Sequence, residues 1–571
     1  MGNKKFWILL ILLLTVVVLA IAVGAGLLWI LNLPVSIDEG STLEIVLSGG
    51  VAEFPAQDPF AELFSSGGRN IWEIREALKG ASTDPRISAL HLQVYPVMAL
   101  SWAQIEELRE IIGEFRESGK KVYTFLAVDM ITERELYLVS GTDHIAVNPT
   151  SGLILNGLMT EVVFMKRTMD KLGVKPQFIQ FKEFKSAETY TRESMSPEIR
   201  GMLEAILREL QDRFVETVAE DRSVASEELS TFMRVGLGTA QTAVEMGLID
   251  QAAYRGDVIK TIEEAEGSDY KSISLDDYLD SDPTAYASPK ARIAVVGAFG
   301  MITSGRSDAF SGIMGGSTVS KRLQELRENR LIDGVILRVN SPGGSAVGSD
   351  MIWEEVRKLE EAGKPVIVSM SGVAGSGGYY ISMGARRIVS QPSTITGSIG
   401  VIFGKFDLSG LYEWLGMDID RIKLAENSDL LSVYSSLTPL QREQVEEWMS
   451  HTYETFVEKA AQGRGMEYDE LEPKAHGKIY TGNQALAEGL VDRLGGFTVA
   501  VEEMKSALDL QPEDRIKLEI YPKPKTALQL LASGELFEIR MAPSLLENIR
   551  QELQSLEQPR IWLLSPEISI D

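Results

Sequence analysis

The chain repeats itself at long range. Ala243, Gly247 and Asp250, in Ala-Val-Glu-Met-Gly-Leu-Ile-Asp, recur as Ala485, Gly489 and Asp492, in Ala-Leu-Ala-Glu-Gly-Leu-Val-Asp, each 242 residues further on. The same offset of 242 joins Pro197 to Pro439, Phe214 to Phe456 and Val215 to Val457, and Asn148-Pro149-Thr150 meets Gln391-Pro392-Ser393 at 243. A period this long marks a duplicated domain, because solenoid repeats run only ~20–50 residues. The expected division is a first unit at 41–285, a second at 290–505, a polar linker within 267–289, an N-terminal segment 1–40 and a C-terminal extension 506–571.

Within each unit, apolar strand-like runs alternate with amphipathic helices, which predicts an α/β layer fold. Residues 331–339 read as a buried strand, 351–361 as a helix and 365–370 as the next strand, followed by a glycine-rich turn and an apolar helix. Ser196-Pro197 and Thr438-Pro439 read as helix starts, hydroxyl at the N-cap and proline at the first helical position. Those helices are expected to run to about Glu220 and Gln462. Residues 526–556 read as an amphipathic helix and 561–564 as a closing strand.

Residues 6–33 carry no charged side chain. As a helix at ~1.5 Å per residue they would reach ~42 Å, more than the ~30 Å hydrocarbon core of a bilayer, with tilt absorbing the excess. Lys4 and Lys5 precede the run, and Asp38 and Glu39 follow it. Positive charge before the span predicts a cytoplasmic N-terminus and a translocated body. The competing reading is a cleaved secretory signal with Val23-Gly24-Ala25 near the cut, although the run exceeds the usual ~7–15-residue apolar core of such signals. The expectation is a single N-terminal membrane anchor carrying a large body outside the cytoplasm.

Composition removes several classes of function. With 56 Lys+Arg against 82 Asp+Glu, the net charge is −26. Nucleic-acid binding needs clustered cations, and so does a polybasic grip on anionic lipid, so neither is expected. Cysteine is absent, which eliminates disulfides, thiolate nucleophiles, Cys zinc sites and iron–sulfur clusters. No metal signature such as His-Glu-x-x-His is present, and no cofactor is expected.

Two glycine-rich segments of the second unit are suited to chemistry. Asn340-Ser341-Pro342-Gly343-Gly344-Ser345 follows a buried strand, and its glycines let the backbone approach a ligand with amides outward. In Ala374-Gly375-Ser376-Gly377-Gly378-Tyr379-Tyr380 a serine stands at a strand-to-helix junction among small residues. Acyl transfer needs such a nucleophile beside fixed N–H donors. Either segment alone is also an ordinary turn, and neither has the ending of a phosphate-binding P-loop.

The serine needs a base. The chain has four histidines, and none of them, His91, His144, His451 or His476, lies in a motif. A lysine can serve if burial disfavours its ammonium form, since desolvation lowers a lysine pKa by up to ~3–5 units. Lys185 lies 12 residues before Pro197, and Asn427 lies 12 before Pro439, so the second copy lacks this lysine. Ser376 minus 243 falls on Glu133, and no Pro-Gly-Gly element lies near Tyr95-Pro96. Each copy thus holds the half of a dyad that the other lacks.

In Asn340-Ser341-Pro342-Gly343-Gly344, Ser376-Gly377-Gly378-Tyr379, Thr396-Gly397-Ser398-Ile399-Gly400 and Tyr480-Thr481-Gly482 the chain resembles the long, duplicated form of the signal peptide peptidase A (protease IV) family. That resemblance covers nearly the whole chain. It implies a tandem Clp protease/crotonase-like α/β fold with an N-terminal transmembrane helix. It also implies a Ser/Lys dyad with Ser376 as nucleophile and Lys185 as general base. Gly343, Gly344 and Gly377 match the oxyanion region, and Ser398 matches a serine orienting the lysine amine. The implied setting is the bacterial inner membrane, with the catalytic body on the periplasmic side. The implied assembly is a homotetramer, and the implied substrates are peptides, chiefly cleaved signal peptides. Ser371, Gly375 and Phe184 depart from the family pattern, where Gly, Ala and Tyr are expected. The rival functions are a crotonase-like acyl-CoA enzyme, which the expected translocation opposes, and a non-catalytic membrane scaffold.

Overall fold

The computed structural model describes residues 36–54, 70–97, 99–281, 289–307, 312–521 and 560–564. The apolar run at 6–33 and the expected helix at 526–556 lie outside the described residues. Among the described residues no helix is long and apolar enough to cross a membrane.

Each copy builds a mostly parallel sheet. In the first, the order is Ser272–Ser274, Ser41–Leu47, Ile87–Val94, Lys121–Leu126, His144–Val147, Gln251–Ala252, all parallel. In the second, Ile516–Tyr521, Ala291–Phe299, Gly334–Ser341 and Val366–Gly375 run parallel in that order. Strands buried on both faces explain the near-continuous apolar runs, such as Val335-Ile336-Leu337, each fully inaccessible. Arg387–Ser390 then pairs with the first half of Val366–Gly375, and Ile395–Gly397 with its second half. The fork follows from a bulge. Val339 faces Met370 but Ser341 faces Ala374, so extra residues on one strand bend it away from the main sheet. In the first copy the same fork is a break, with Met130–Ile131 and Gly152–Ile154 forming a small separate sheet with Leu237–Thr239.

Helix ends follow the capping chemistry. Pro197–Arg222 and Pro439–Arg464 start at proline, with Ser196 and Thr438 accepting from the amides of Ile199 and Gln441. Other boundaries move. The strand expected at 331–339 is Gly334–Ser341, because Leu331 stands exposed in the preceding turn. The helix expected at 351–361 begins at Ala346, where Ser345 caps Gly348. The expected glycine-rich turn after 370 is still strand as far as Gly375. Part of the expected linker is structured: Ser272–Ser274 pairs with Ser41–Leu47, and Leu275–Asp280 buries Leu275 and Tyr278 against the first unit.

The two copies are joined in two ways. Lys175–Gln180 of the first runs antiparallel to Ile402–Asp407 of the second over six residue pairs, Lys175 facing Asp407 and Gln180 facing Ile402. In the second junction, helix Trp102–Glu117 presents carboxylates to the second copy. Glu106 accepts from Ser393, Glu110 from Gln391 and the Gly496 amide, and Glu107 from the Phe497 amide. At the centre Arg338, only 1% exposed, bonds Glu53 at 2.9 Å, Ser369 at 2.8 Å and Glu107. Burial alone would lower the guanidinium pKa, but Glu107 and Glu53 hold it above its ordinary value. Ser371, one of the departures from the family pattern, donates to Glu53 and belongs to this cluster.

Removing one member of a buried ionic cluster strands the others. Arg338→Leu leaves Glu53 and Glu107 unpaired and is expected to cost ~3–5 kcal/mol, read as a fall in the denaturant midpoint. Adding Glu53→Gln and Glu107→Gln to that variant should recover most of the loss. An unchanged midpoint in Arg338→Leu would contradict the clamp.

Candidate functional site

The antiparallel ladder ends five residues before Lys185. Beyond it the chain crosses onto the second copy. The Phe181 amide donates to Val401 O at 3.4 Å, and the Phe184 amide to His476 O at 3.1 Å. Phe184, where the family pattern expects tyrosine, packs against the core of the first copy. Gly477 makes the crossing possible: a Cβ there would stand 2.5 Å from Lys185 Cβ and from its backbone nitrogen. Lys185 is buried beyond this crossing, with 2% of its surface exposed.

Its amine meets three oxygens. Lys185 Nζ lies 2.6 Å from Ser376 Oγ, 2.8 Å from Ser398 Oγ and 3.1 Å from Ser398 O. Burial drives its pKa well below the usual lysine range, and no carboxylate opposes the shift. A neutral amine has two N–H donors and one lone pair. Ser398 O can only accept, and the two hydroxyls can accept the remaining N–H groups; once the amine is neutral, its lone pair can instead take the Ser376 proton across the same 2.6 Å contact.

Ser376 is fully buried and caps helix Gly377–Ser382 with φ 55° and ψ −111°. A non-glycine residue in the left-handed region stores ~1–3 kcal/mol of strain. The surroundings hold it there: its amide donates to Gly397 O at 2.8 Å, and its carbonyl accepts from the Tyr380 amide at 2.8 Å. Ser398 is also left-handed, with φ 53°, and its amide donates to Lys478 O at 2.7 Å. The Thr-Gly-Ser-Ile-Gly segment is therefore a shaped cradle rather than a spacer. Ile479–Tyr480 pairs antiparallel with Ile395–Gly397 beside it, and Thr481 caps the next helix while donating to Glu209 of the first copy.

The glycine segments close on the serine from the other side. A Cβ at Gly377 would lie 2.6 Å from Ser349 Oγ, 3.0 Å from Gly343 Cα and 3.1 Å from Gly344 N. Gly344, at φ 148°, could carry no side chain, since its Cβ would meet Ile302 O at 2.1 Å. The Gly343 amide is directed at Ser341 Oγ, 3.2 Å away. Gly343 is thereby fixed as a conformational element, which leaves Gly344 and Gly377 as the candidate oxyanion amides. Sequence reasoning named Ser341 only as part of its glycine-rich segment and missed Ser349 and Gly477, and for Gly477 the only local signal was one glycine after a histidine.

The remaining candidates lie elsewhere. Asn427, aligned with Lys185, bonds Gln444 near the surface. Glu133, aligned with Ser376, accepts from the Gly157 amide at 2.9 Å, and burial raises its pKa. His91 is buried against Tyr270, with its pKa lowered by burial to about 4, and His476 bonds Glu472. Among the described residues, Ser376 Oγ is partnered by Lys185 and by no histidine.

Because the unfolded chain binds a proton at Lys185 that the folded chain does not, stability should rise with pH between the depressed folded-state pKa and the ordinary lysine value. Lys185→Met removes that dependence. The variant should therefore gain stability over the wild type near pH 6, with the gain shrinking as pH rises toward 10. Parallel denaturation midpoints across that range would show the amine to be charged in the folded state.

Two stretches of the chain, 114–269 and 358–511, match Peptidase family S49. The chain is 30% identical over 507 residues to the chloroplastic serine protease SPPA of Arabidopsis thaliana, covering 87% of this chain and 73% of that protein. It is 31% identical over 466 residues to Protease 4 of Haemophilus influenzae, covering 78% and 74% respectively. A solved ClpP1 variant from Listeria monocytogenes aligns with 36% of this chain and 94% of its own at 16% identity and a TM-score of 0.24, too low a score to bear on the fold. With a matched stretch in each copy, and relatives that align along most of its length, the chain belongs to Peptidase family S49 and is a serine peptidase.

Proposed function

We propose that the chain hydrolyses peptide bonds with Ser376 as nucleophile and Lys185 as general base. The observation that carries this reading is the 2.6 Å approach of a buried amine, its pKa lowered by burial, to a buried hydroxyl on a strained turn. Lys185 Nζ takes the Ser376 proton as Oγ attacks the carbonyl carbon. The amides of Gly344 and Gly377 receive the oxyanion. Lys185 then returns the proton to the leaving amine, and the C–N bond breaks to give an ester at Ser376. Water, deprotonated by the same amine, attacks the ester, and Oγ regains its proton as the acid leaves. Ser398 holds the amine by accepting one N–H at Oγ and another at its carbonyl.

The finer assignments rest on the resemblance. The units are read as Clp/crotonase-like, anchored by the apolar run at 6–33 in a bacterial inner membrane, with the body on the periplasmic side and cleaved signal peptides as substrates. The expected homotetramer has one supporting feature. Trp414, Leu415, Met417, Ile419, Ile422 and Leu424 crowd one exposed stretch, Ile422 at 90% and Leu424 at 99% exposure. Apolar side chains so concentrated and so exposed mark a contact surface, here read as one between copies. The acyl-CoA and scaffold readings find no support among relatives that are peptidases.

Ser376→Ala and Lys185→Ala should each lower kcat for a fluorogenic peptide by at least about 10³-fold, whereas Asn427→Ala should leave it unchanged. Wild-type kcat/KM should fall as pH drops through the folded-state pKa of Lys185, because only the neutral amine accepts the proton. Full turnover by Lys185→Ala, or an optimum near pH 5, would refute the dyad.

A further inference from the structure

Four residues separate the ladder from Lys185, and each of them meets the same small surface of the second copy. The Phe181 ring packs on the Tyr453 ring, with centroids 4.9 Å apart. Lys182 Nζ lies 2.7 Å from Glu472 Oε1 and 5.7 Å over the Tyr453 ring. Glu183 Oε2 lies 2.9 Å from His476 Nδ1, and the Phe184 amide donates to His476 O at 3.1 Å. This platform is itself cross-linked. His476 Nε2 lies 3.0 Å from Glu472 Oε1, and the Tyr453 hydroxyl donates to the same oxygen at 3.3 Å. The His476 amide donates to the Tyr453 hydroxyl at 3.4 Å.

Three facts bear on what the platform does. Its contacts converge on one atom, Glu472 Oε1, which Lys182, His476 and Tyr453 all reach. Lys182 chiefly, with His476, holds the Glu472 carboxyl below its ordinary range. The backbone on both sides is strained to fit. Lys182 has φ 72° and His476 φ 53°, left-handed values that non-glycine residues keep only where the surroundings over-determine them. Lastly, the platform is confined to the copy that receives the lysine. At the offset of 242 the first copy has Gln211, Ser230 and Arg234 where the second has Tyr453, Glu472 and His476. The fold is common to both copies and the platform is not, which ties its duty to the lysine segment.

We infer that Glu472 is a positioning residue of the general base: from the second copy it holds residues 181–184, the segment that aims Lys185 at Ser376. The inference rests on the peptidase reading above. Glu472 touches neither reacting atom and acts through Lys182 and His476. His476 in turn precedes Gly477, on which the Lys185 backbone packs. A misplacement of about 1 Å can cost on the order of 10²-fold in rate, and a 2.6 Å contact between Nζ and Oγ leaves little slack. A loosened segment also admits water to the amine, which returns its pKa toward the ordinary lysine value.

The test is Glu472→Ala in the full chain, set beside Glu472→Gln, which keeps an acceptor oxygen where the contacts converge. Glu472→Ala should lower kcat for a fluorogenic peptide about tenfold or more, with KM within about twofold. It should also move the acid limb of kcat/KM to higher pH. Glu472→Gln should recover kcat to within about threefold of the wild type and return the acid limb to its place. A second readout needs no turnover. The stability difference between a chain with Lys185 and its Lys185→Met counterpart varies with pH because burial lowers the amine pKa. That variation should shrink in the Glu472→Ala background and persist in the Glu472→Gln background. An unchanged kcat in Glu472→Ala would overturn the inference. So would a loss confined to KM, or an equal loss of kcat in both variants with the acid limb unmoved, since Glu472 would then serve the groove or the fold alone. If the wild-type chain hydrolyses no peptide while the pH variation still shrinks in Glu472→Ala, the peptidase reading fails and the positioning of the amine stands.

Discussion

The antiparallel ladder between Lys175–Gln180 and Ile402–Asp407 is the interaction on which the site depends. Lys185 and Ser376 are 191 residues apart in sequence and come from different copies. Closing so long a loop costs conformational entropy that a single amine–hydroxyl contact cannot offset. The ladder, and the carboxylates that helix Trp102–Glu117 lends to the second copy, meet that cost away from the site. The last residues before Lys185 then need only a few local bonds, the main-chain ones to Val401 and His476 among them, to aim one side chain.

Two buried cations in this molecule are treated in opposite ways, and the contrast explains the chemistry. Arg338 is surrounded by Glu53 and Glu107 and remains charged. Lys185 is as deeply buried but meets only hydroxyls and a carbonyl, so burial acts on its pKa unopposed. A carboxylate beside Lys185 would restore the ammonium and remove the lone pair. The interior therefore keeps its ion pairs at the seam between copies and excludes them from the pocket that needs a neutral base.

The sequence made the duplication legible because Ala-x-x-x-Gly-Leu-[Ile/Val]-Asp recurs with its spacing intact, and the helices at Pro197 and Pro439 were legible because capping is local chemistry. Juxtaposing Lys185 with Ser376 followed from comparing copies, since no local pattern distinguishes Lys185 from a surface lysine. Long-range pairing was not legible. Nothing in residues 175–180 announces a partner at 402–407, and nothing in 272–274 tells a polar strand from a linker. The fork in Val366–Gly375 depends on a bulge set by neighbouring strands, and periodicity does not register it. The Arg338 cluster was invisible for a related reason: Glu53, Glu107 and Arg338 are each unremarkable in sequence, and only the folded seam makes them one object.

The divergence of the copies follows from sharing one site. Once the amine from one copy reaches the serine of the other, the equivalent positions no longer need reactive groups, but they still need polar satisfaction. Glu133 does this by accepting the Gly157 amide, and Asn427 by bonding Gln444 near the surface. The first copy also dispenses with the bulge that carries Ser376 out of the main sheet, and its counterpart strand simply breaks, leaving Met130–Ile131 in a sheet of its own. A strand that must present a strained, buried serine to the amine of the other copy has to bend while staying paired on both sides, whereas a strand with no such duty can end. The local geometry of each copy is thus set by the half of the reaction it is proposed to supply.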